Sequence, residues 1–479
     1  MKLQRFHGLV LMMALVLPGM TTATADQLTG AVARQMHINQ ERYGLAGQAV
    51  LVARNGEVLF RGVAGQADLA AGRPVQADDV FPAYSLAKLF VSTLVMQLVE
   101  RGEVKLDEPA SSYVSGLPAA WRAITVRQYL DHSSGVPEYF SDLKTPSPFP
   151  VTLADALTAL ADKPLLFTPG TSSRYTQTNY LVLTALLETR YGKPYPQIVH
   201  ERLLQKLHLD HTTLGPPVLT KFNTVTAYIG KGGRLEPNPD VAWPVYSYGH
   251  AALYTTLDDL ARFLQAMCSG KLLSTSALDS LWQAPSLSNG KRGVFASGWE
   301  YGESGAYHHV GHDGGTQVRV RLAFKGKLSG DGYVFIYLTN GSAQNVWSRT
   351  LVESVMAAVA PQEFAEEVLS GQLIDYALRP ASNGDAHAQA DIIRHSSAMQ
   401  GAALERTING TGYAVRESLG LAAAIRVFEL NTILFPASAN AWDSLAETYQ
   451  AQGQGEQAKR LYEKAHALAA QAVPGTEKN

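Results

Sequence analysis

One cysteine, Cys268, in 479 residues leaves no intrachain disulfide partner and too few thiolates for a zinc or iron–sulfur site. Charge of one sign is also in short supply. Forty Lys+Arg against 42 Asp+Glu give a formal net charge of −2, and no basic cluster stands out, which excludes nucleic acid or an anionic lipid surface as the main partner. Long hydrophobic runs are missing as well. The apolar run Leu9–Leu17 is short of the roughly 20 residues that cross a bilayer, no later run is longer, and no transmembrane span is expected. What is present is 46% hydrophobic and 9% aromatic residues, enough for a large core and incompatible with a disordered or collagen-like chain.

The first residues read as a targeting segment. Lys2 and Arg5 precede the run Leu9–Leu17, then Pro18-Gly19 and the small-residue stretch ending Ala23-Thr24-Ala25. That order is the charged, apolar and A-x-A pattern of a secretory signal peptide. The expectation is a signal peptide over 1–25 and an exported, periplasmic or secreted protein. In the remaining chain, Gln48–Arg54 and Glu57–Val63 alternate and are joined by Asn55-Gly56, a strong hairpin signal. Val318, Val320, Leu322 and Phe324 alternate with Arg319 and Arg321, and Tyr333–Thr339 is strand-like. Helical patterns over Leu89–Glu100, Leu153–Ala161, Tyr180–Tyr191 and Leu257–Met267, the last opened by Thr255-Thr256, lie between these β ends. The pattern predicts an α+β class with an antiparallel sheet closed by the two ends of one large domain, and argues against doubly wound parallel strands.

The last part differs. Gly412, Ala424, Phe428 and Pro436 recur 34 residues later as Ala446, Ala458, Tyr462 and Ala470, the tetratricopeptide period. Trp442, Leu445 and Tyr449 continue a helical stripe. The organisation expected is one large domain over 26–360, a connecting region over 361–403, and tetratricopeptide-like helices over 404–472. The last either dock on the domain or receive a protein partner, because two repeats cannot bury their own faces.

Ser-x-x-Lys occurs at Ser85/Lys88, Ser141/Lys144 and Ser288/Lys291. Ser141 lies just before the proline-rich run Lys144–Pro150 and Ser288-Asn289-Gly290-Lys291 reads as an exposed turn. Only Ser85-Leu86-Ala87-Lys88 opens an apolar helix. There, i and i+3 share a face, apolar surroundings disfavour the ammonium, and the helix N-terminus pushes the same way. Lys88 can then act as a base that activates Ser85 for attack on an acyl carbon.

Phe81-Pro82-Ala83-Tyr84-Ser85-Leu86-Ala87-Lys88 resembles the nucleophile motif of the serine β-lactamase and penicillin-binding-protein superfamily. The branch it most resembles holds class C β-lactamases, D,D-peptidases, D-aminopeptidases and esterases. Further segments follow in that branch's order: Arg101–Pro109, Leu130-Asp131-His132-Ser133-Ser134-Gly135, Phe167-Thr168-Pro169-Gly170 with Tyr175-Thr176-Gln177-Thr178-Asn179-Tyr180, and Gly311-His312-Asp313-Gly314-Gly315 on an expected edge strand. The resemblance, covering about Leu45 to Gly341, implies a β-lactamase-like fold, an acyl-enzyme on Ser85, and no cofactor. It implies Lys88 as base or proton relay, Tyr175 as proton shuttle, the Ser85 and Gly315 amides as an oxyanion hole, and Gln177, His312 and Gly314 as substrate-binding positions.

Two departures bear on the substrate. Gln177 stands where an asparagine is usual, and His312 replaces the lysine of K-T-G. A histidine with an ordinary pKa near 6.5 is mostly neutral above pH 7, so the grip on an anionic substrate is weaker. The expected substrate is a small ester, amide or peptide. The alternatives are a true β-lactamase or D,D-carboxypeptidase and a non-catalytic sensor of the same fold. His308-His309-x-x-His312 also suggests a metal site, but the glycines around it favour strand and turn over the helix that would align an i, i+4 pair. No metal is expected. His132 and Ser134 are expected to fix a loop, and Trp299 and Tyr248 are candidates for the cleft wall.

Overall fold

A computed structural model describes residues 25–140, 149–216, 223–238, 241–327, 331–380 and 384–472. The expected signal peptide lies outside them apart from Ala25, and so does the Ser141/Lys144 pair.

Helix α1 (Ala25–Tyr43) leads into the hairpin β1 (Gly47–Arg54) and β2 (Glu57–Asp68). Asn55 and Gly56, with φ of 53° and 86°, form the left-handed turn that matches strand twist. Strands β3 (Arg73–Pro74) and β4 (Phe81–Tyr84) follow, then helices α2 (Ala87–Glu100), α3 (Val126–Leu130), α4 (Leu153–Leu160), α5 (Thr178–Tyr191), α6 (Tyr195–Val199) and α7 (Gln205–Leu207). Short strands β5 (Thr213–Leu214), β6 (Tyr228–Lys231), β7 (Arg234–Pro237) and β8 (Leu253–Thr255) precede α8 (Leu257–Cys268) and α9 (Thr275–Leu281). The chain then returns to the sheet as β9 (Phe295–Ala296), β10 (Trp299–Ser304), β11 (Tyr307–Gly314), β12 (Val318–Phe324) and β13 (Gly332–Thr339).

The main sheet has eight strands in the order β3-β2-β1-β13-β12-β11-β10-β9. Its ladders are antiparallel, and Gln48 of β1 lies opposite Thr339 of β13, so the early and late strands meet at its centre. Strand alternation divides the core. Leu51, Val320, Leu322 and Ile336 face the central helices, whereas Val52, Ala323, Phe335 and Tyr337 face α1 and α10 (Ser348–Val359). Helix α2 is apolar nearly all round and buried at the middle of the first core, as expected for a helix enclosed by protein.

The stretch expected to be a connecting region folds instead as α11 (Ala365–Leu378) and α12 (Asp385–Ser396). Leu369, Leu373, Ile374 and Ala377 carry a helical period, which the interspersed charges and an N-cap lacking a side-chain bond obscure in the sequence. They share one core with α13 (Gly401–Leu419), α14 (Leu421–Leu434), α15 (Ala439–Ala451) and α16 (Gly455–Ala472). The 34-residue spacing falls on packing positions: Ala424, Ala446 and Ala458 are fully buried, and a Cβ on Gly412 would collide with the Phe428 ring. This helical part also touches the sheet domain. Arg42 of α1 pairs with Asp375 of α11, and Leu419 packs on the core beneath α10. Among the described residues no helix is long and apolar enough to cross a membrane.

Candidate active site

Ser85 sits in the turn between β4 and α2. Tyr84, at the end of β4, has φ of 45°, a left-handed conformation costing a non-glycine residue about 1–3 kcal/mol, and this bend lifts Ser85 out of the sheet edge. The turn is locked by Leu86 N–H donating to the Ala83 carbonyl and Lys88 N–H to the Ser85 carbonyl, both at 3.0 Å.

The Lys88 ammonium position is fully buried. Its Nζ donates to Gln177 Oε1 at 2.6 Å and to the His250 carbonyl at 2.8 Å, and lies 3.2 Å from Ser85 Oγ. Two of the three partners can only accept. A neutral amine spends its two hydrogens on them and keeps its lone pair for the Ser85 hydroxyl. Burial drives Lys88 well below its ordinary pKa, and Glu138 and Asp313 oppose this more weakly.

Tyr175 stands 4.8 Å from Lys88 Nζ, measured to the ring centroid. The ring is 37% exposed at the cleft mouth, yet its hydroxyl end is enclosed. That enclosure raises its pKa well above 10, against the pull of its hydrogen bonds with Ser85 and Gln177. Tyr175 therefore rests as a phenol, suited to pass a proton on rather than to begin as a phenolate.

The other wall is the end of β11. Gly314 and Gly315 border the cleft and pass close to the nucleophile turn: a Cβ on Gly314 would lie 2.3 Å from the Ala83 carbonyl oxygen, and one on Gly315 would lie 3.1 Å from the Tyr84 ring. Contact with backbone requires glycine at 314 and leaves little room for a side chain at 315. Thr316 and Gln317, with φ of 54° and 59°, complete the tight return into β12. Contrary to the expected edge strand, β11 is interior, between β10 and β12. Its ladder to β10 ends at Gly311, however, while His312, Asp313 and Gly314 pair only with β12. The edge is local, and the free side faces the cleft.

His312 is 2% exposed. Its Nδ1 donates to the Asp313 carbonyl at 2.6 Å, which leaves Nε2 as an acceptor without a partner. Burial, with Lys88 adding to it and Asp313 opposing, lowers its pKa to about 4, so it is neutral at pH 7. His308 and His312 lie on one face of β11 and His309 on the other, as strand alternation dictates. No metal-holding group of three or more ligands exists among the described residues.

His132 and Ser134 both bond Asn179, at 2.9 Å and 2.5 Å, pinning their loop to the start of α5; the His132 ring packs on Tyr175 at 4.5 Å. Trp299 packs on Trp282 and Tyr248 lies beside Gly215. Neither borders the cleft, because Trp299 points into the core at 2% exposure and Tyr248 closes a turn. Ser288-Asn289-Gly290-Lys291 is an exposed turn. Sequence reasoning missed Glu138, which accepts from the Gln177 amide at 3.0 Å, and the His250 carbonyl. It also missed Phe295 and Glu300, which line the cleft. Backbone acceptors and cross-sheet neighbours carry no local motif.

The cleft holds about 370 Å³ and is lined by Ser85, Tyr175, Phe295, Glu300, His312, Asp313, Gly314 and Gly315. A serine hydroxyl against a buried amine, a phenol beside them and a free strand end thus meet in one cleft. The chain belongs to the Beta-lactamase family, whose description fits residues 26–353, more than two thirds of its length. It is similar to penicillin-binding protein 4 of Amycolatopsis lactamdurans, at 26% identity over 67% of this chain and 88% of that one. Esterase EstB of Burkholderia gladioli is 28% identical over 47% of this chain and 66% of its own. In fold it resembles the octameric penicillin-binding protein homologue from Pyrococcus abyssi, with a TM-score of 0.61 and 18% identity over 72% of this chain and 81% of that one. Its relatives are serine hydrolases of the β-lactamase and penicillin-binding-protein superfamily.

Proposed function

We propose that this chain is an exported serine hydrolase that cleaves small esters, amides or peptide bonds through an acyl-enzyme on Ser85. The observation that carries the reading is the buried Lys88 amine, whose hydrogens are taken by Gln177 and His250 and whose third neighbour is Ser85. Lys88 takes the Ser85 proton as Oγ attacks the acyl carbon. The carbonyl oxygen becomes an oxyanion between the Ser85 and Gly315 amides, donors worth about 3 kcal/mol each in such a transition state. Tyr175 gives its proton to the leaving group and recovers one from Lys88, and water then releases the acyl group by the reverse relay.

The substrate class follows from charge. The cleft lining contains no lysine or arginine, its Glu300 and Asp313 both pair with Arg319 behind it, and it has a neutral His312 where a fixed cation would grip a carboxylate. Neutral esters and amides fit this lining better than anionic β-lactams. Export is supported by the Lys2–Ala25 pattern, and a tetratricopeptide-like arrangement of the last four helices by the buried residues at the 34-residue spacing.

Intact-mass measurement after fluorophosphonate treatment should find one adduct, on the peptide with Ser85. Hydrolysis of p-nitrophenyl esters, alanyl anilides and a chromogenic cephalosporin should then be compared side by side. An adduct that persists in Ser85→Ala removes the assignment, and a higher kcat/KM for the cephalosporin replaces the esterase or amidase reading with the β-lactamase one.

A further inference from the structure

A second cavity lies where the helical region meets the sheet domain. It holds about 380 Å³ and is walled by α1, α10, α11 and α13, within the size range of small-molecule sites. Two glycines in helix interiors border it, Gly371 of α11 and Gly410 of α13, and a Cβ on either would meet nothing within 4 Å. Glycine inside a helix costs about 1 kcal/mol relative to alanine, so this sequence gives up helix stability at two places that face the same space.

Most of the charges around the cavity are matched within the protein. Arg42 pairs with Asp375, and Glu353 accepts from Arg321 at 3.2 Å and Arg349 at 2.6 Å. Three groups are left over. Glu367 is 4% exposed and its Oε2 has no hydrogen-bond partner. Glu366, beside it on α11, has the Thr407 hydroxyl at 3.0 Å and makes no salt bridge among the described residues, although both carboxyls lie in the field of Arg349. Arg406 of α13 also borders the cavity, is exposed, and has no ion-pair partner among the described residues. The remaining surface includes the apolar side chains of Ile38 and Trp347, 38% and 41% exposed.

A guanidinium without an ion pair, a buried carboxyl oxygen without a hydrogen-bond partner and an apolar wall around one cavity are complementary to a single kind of molecule. We infer that this cavity is a binding site, separate from the Ser85 cleft, for a small zwitterion with an apolar side chain: a free amino acid or a dipeptide. Its carboxylate takes the planar fork of Arg406, its ammonium takes Glu366 and Glu367, and its side chain lies against Trp347 and Ile38. Burial, with Glu353 adding to it, raises the Glu367 carboxyl to about 7; an arriving ammonium favours its ionised form.

The site is tested on the full-length chain whose Ser85 has been blocked with a fluorophosphonate, so the catalytic cleft is occupied. Calorimetric titration with leucine and with glycyl-leucine should give saturable one-to-one heat for one of the two, and none for N-acetyl-leucine or leucinamide, each of which lacks one charge. Which of the two binds distinguishes amino acid from dipeptide. Arg406→Gln, a change on an exposed helix face, should weaken binding at least about tenfold, the usual cost of a charge-assisted pair. Gly410→Leu should abolish it by filling the cavity while leaving the melting temperature unchanged or higher. If Gly410→Leu does not fold, Arg406→Gln alone decides. Absence of saturable heat with either zwitterion, equal binding of the blocked analogues, or binding indifferent to Arg406→Gln overturns the proposal.

Discussion

Replacing Lys88 with Met keeps most of the length of the side chain and removes the amine from the centre of the site. Two opposing effects on stability follow. The Gln177 Oε1 and the His250 carbonyl lose their donor, at about 1–3 kcal/mol for each acceptor that stays buried and unpaired. Against this, the native protein must keep a lysine neutral in the folded state that is charged in the unfolded chain up to about pH 10.4. Burial lowers the folded pKa, so the contribution of the neutral amine is complete above the unfolded value and is lost as pH falls toward the folded one. Over the interval between the two, unfolding takes up one proton and stability rises with pH by about 1.4 kcal/mol per unit. The stability of the wild type minus that of Lys88→Met should therefore grow by about 2.7 kcal/mol between pH 7.5 and 9.5. Groups shared by both proteins cancel in the difference. Urea unfolding followed by tryptophan fluorescence at four pH values gives the slope, and the same preparations should acylate Ser85 about 10²–10⁴-fold more slowly than wild type. A stability difference that stays flat across that range would falsify the neutral-amine argument, because it means Lys88 is protonated in both states.

Tyr175→Phe should keep the fold and lower kcat by about 10²–10⁴-fold; because Tyr175 is raised well above 10, the wild-type rate should also show no alkaline fall up to about pH 10. Glu138 raises the Lys88 pKa by its charge, so Glu138→Gln should move the acid limb of the kcat/KM profile to lower pH; a shift to higher pH contradicts that. His312→Lys places a cation at a site that is neutral at pH 7 and should raise kcat/KM for carboxylate-bearing substrates relative to neutral esters, read as a ratio on matched pairs. Ending the chain after Phe364 removes the helical core whole and should leave Ser85 acylation intact. Ending it at Ala403 strands Leu369, Leu373 and Ile374, each worth about 1.5–3 kcal/mol when buried, and should give the earlier melting and the stronger hydrophobic-dye binding of the two.

Much of the site was legible because its chemistry is local. Ser85 and Lys88 are three residues apart, and an apolar helix after them already says that the lysine is buried. The hairpin at Asn55-Gly56 and the alternation from Val318 to Phe324 depend on neighbours in sequence, and they fold as read. The partners of Lys88 are different in kind. The His250 carbonyl lies 162 residues away and, being backbone, carries no residue-type signal at all. Glu138 acts by holding the first amide of the Gln177 turn, a role that any acceptor in that place could fill. The helices over 361–403 were hidden for a related reason: α11 is stabilised by contact with α10, α13 and α14, not by caps of its own, so its sequence lacks start signals.

The strand β11 shows how one element can satisfy two demands that conflict in the sequence. A substrate that lies beside Gly314 and Gly315 needs free backbone groups, which an edge strand supplies, whereas an exposed edge invites pairing with other chains. Residues 308–311 are sealed on both sides by β10 and β12, whereas 312–314, at the cleft end, have β12 alone as a neighbour. The free edge is thus shortened to the length of the cleft, which Phe295 and Glu300 also line. The two glycines let this short edge approach the Ser85 turn, and the left-handed Thr316 and Gln317 turn the chain back before the edge can lengthen. Strain at that return and at Tyr84 falls on the two backbone segments that meet beside Ser85. Backbone strain therefore marks the site from both sides, independently of the side chains that identify it.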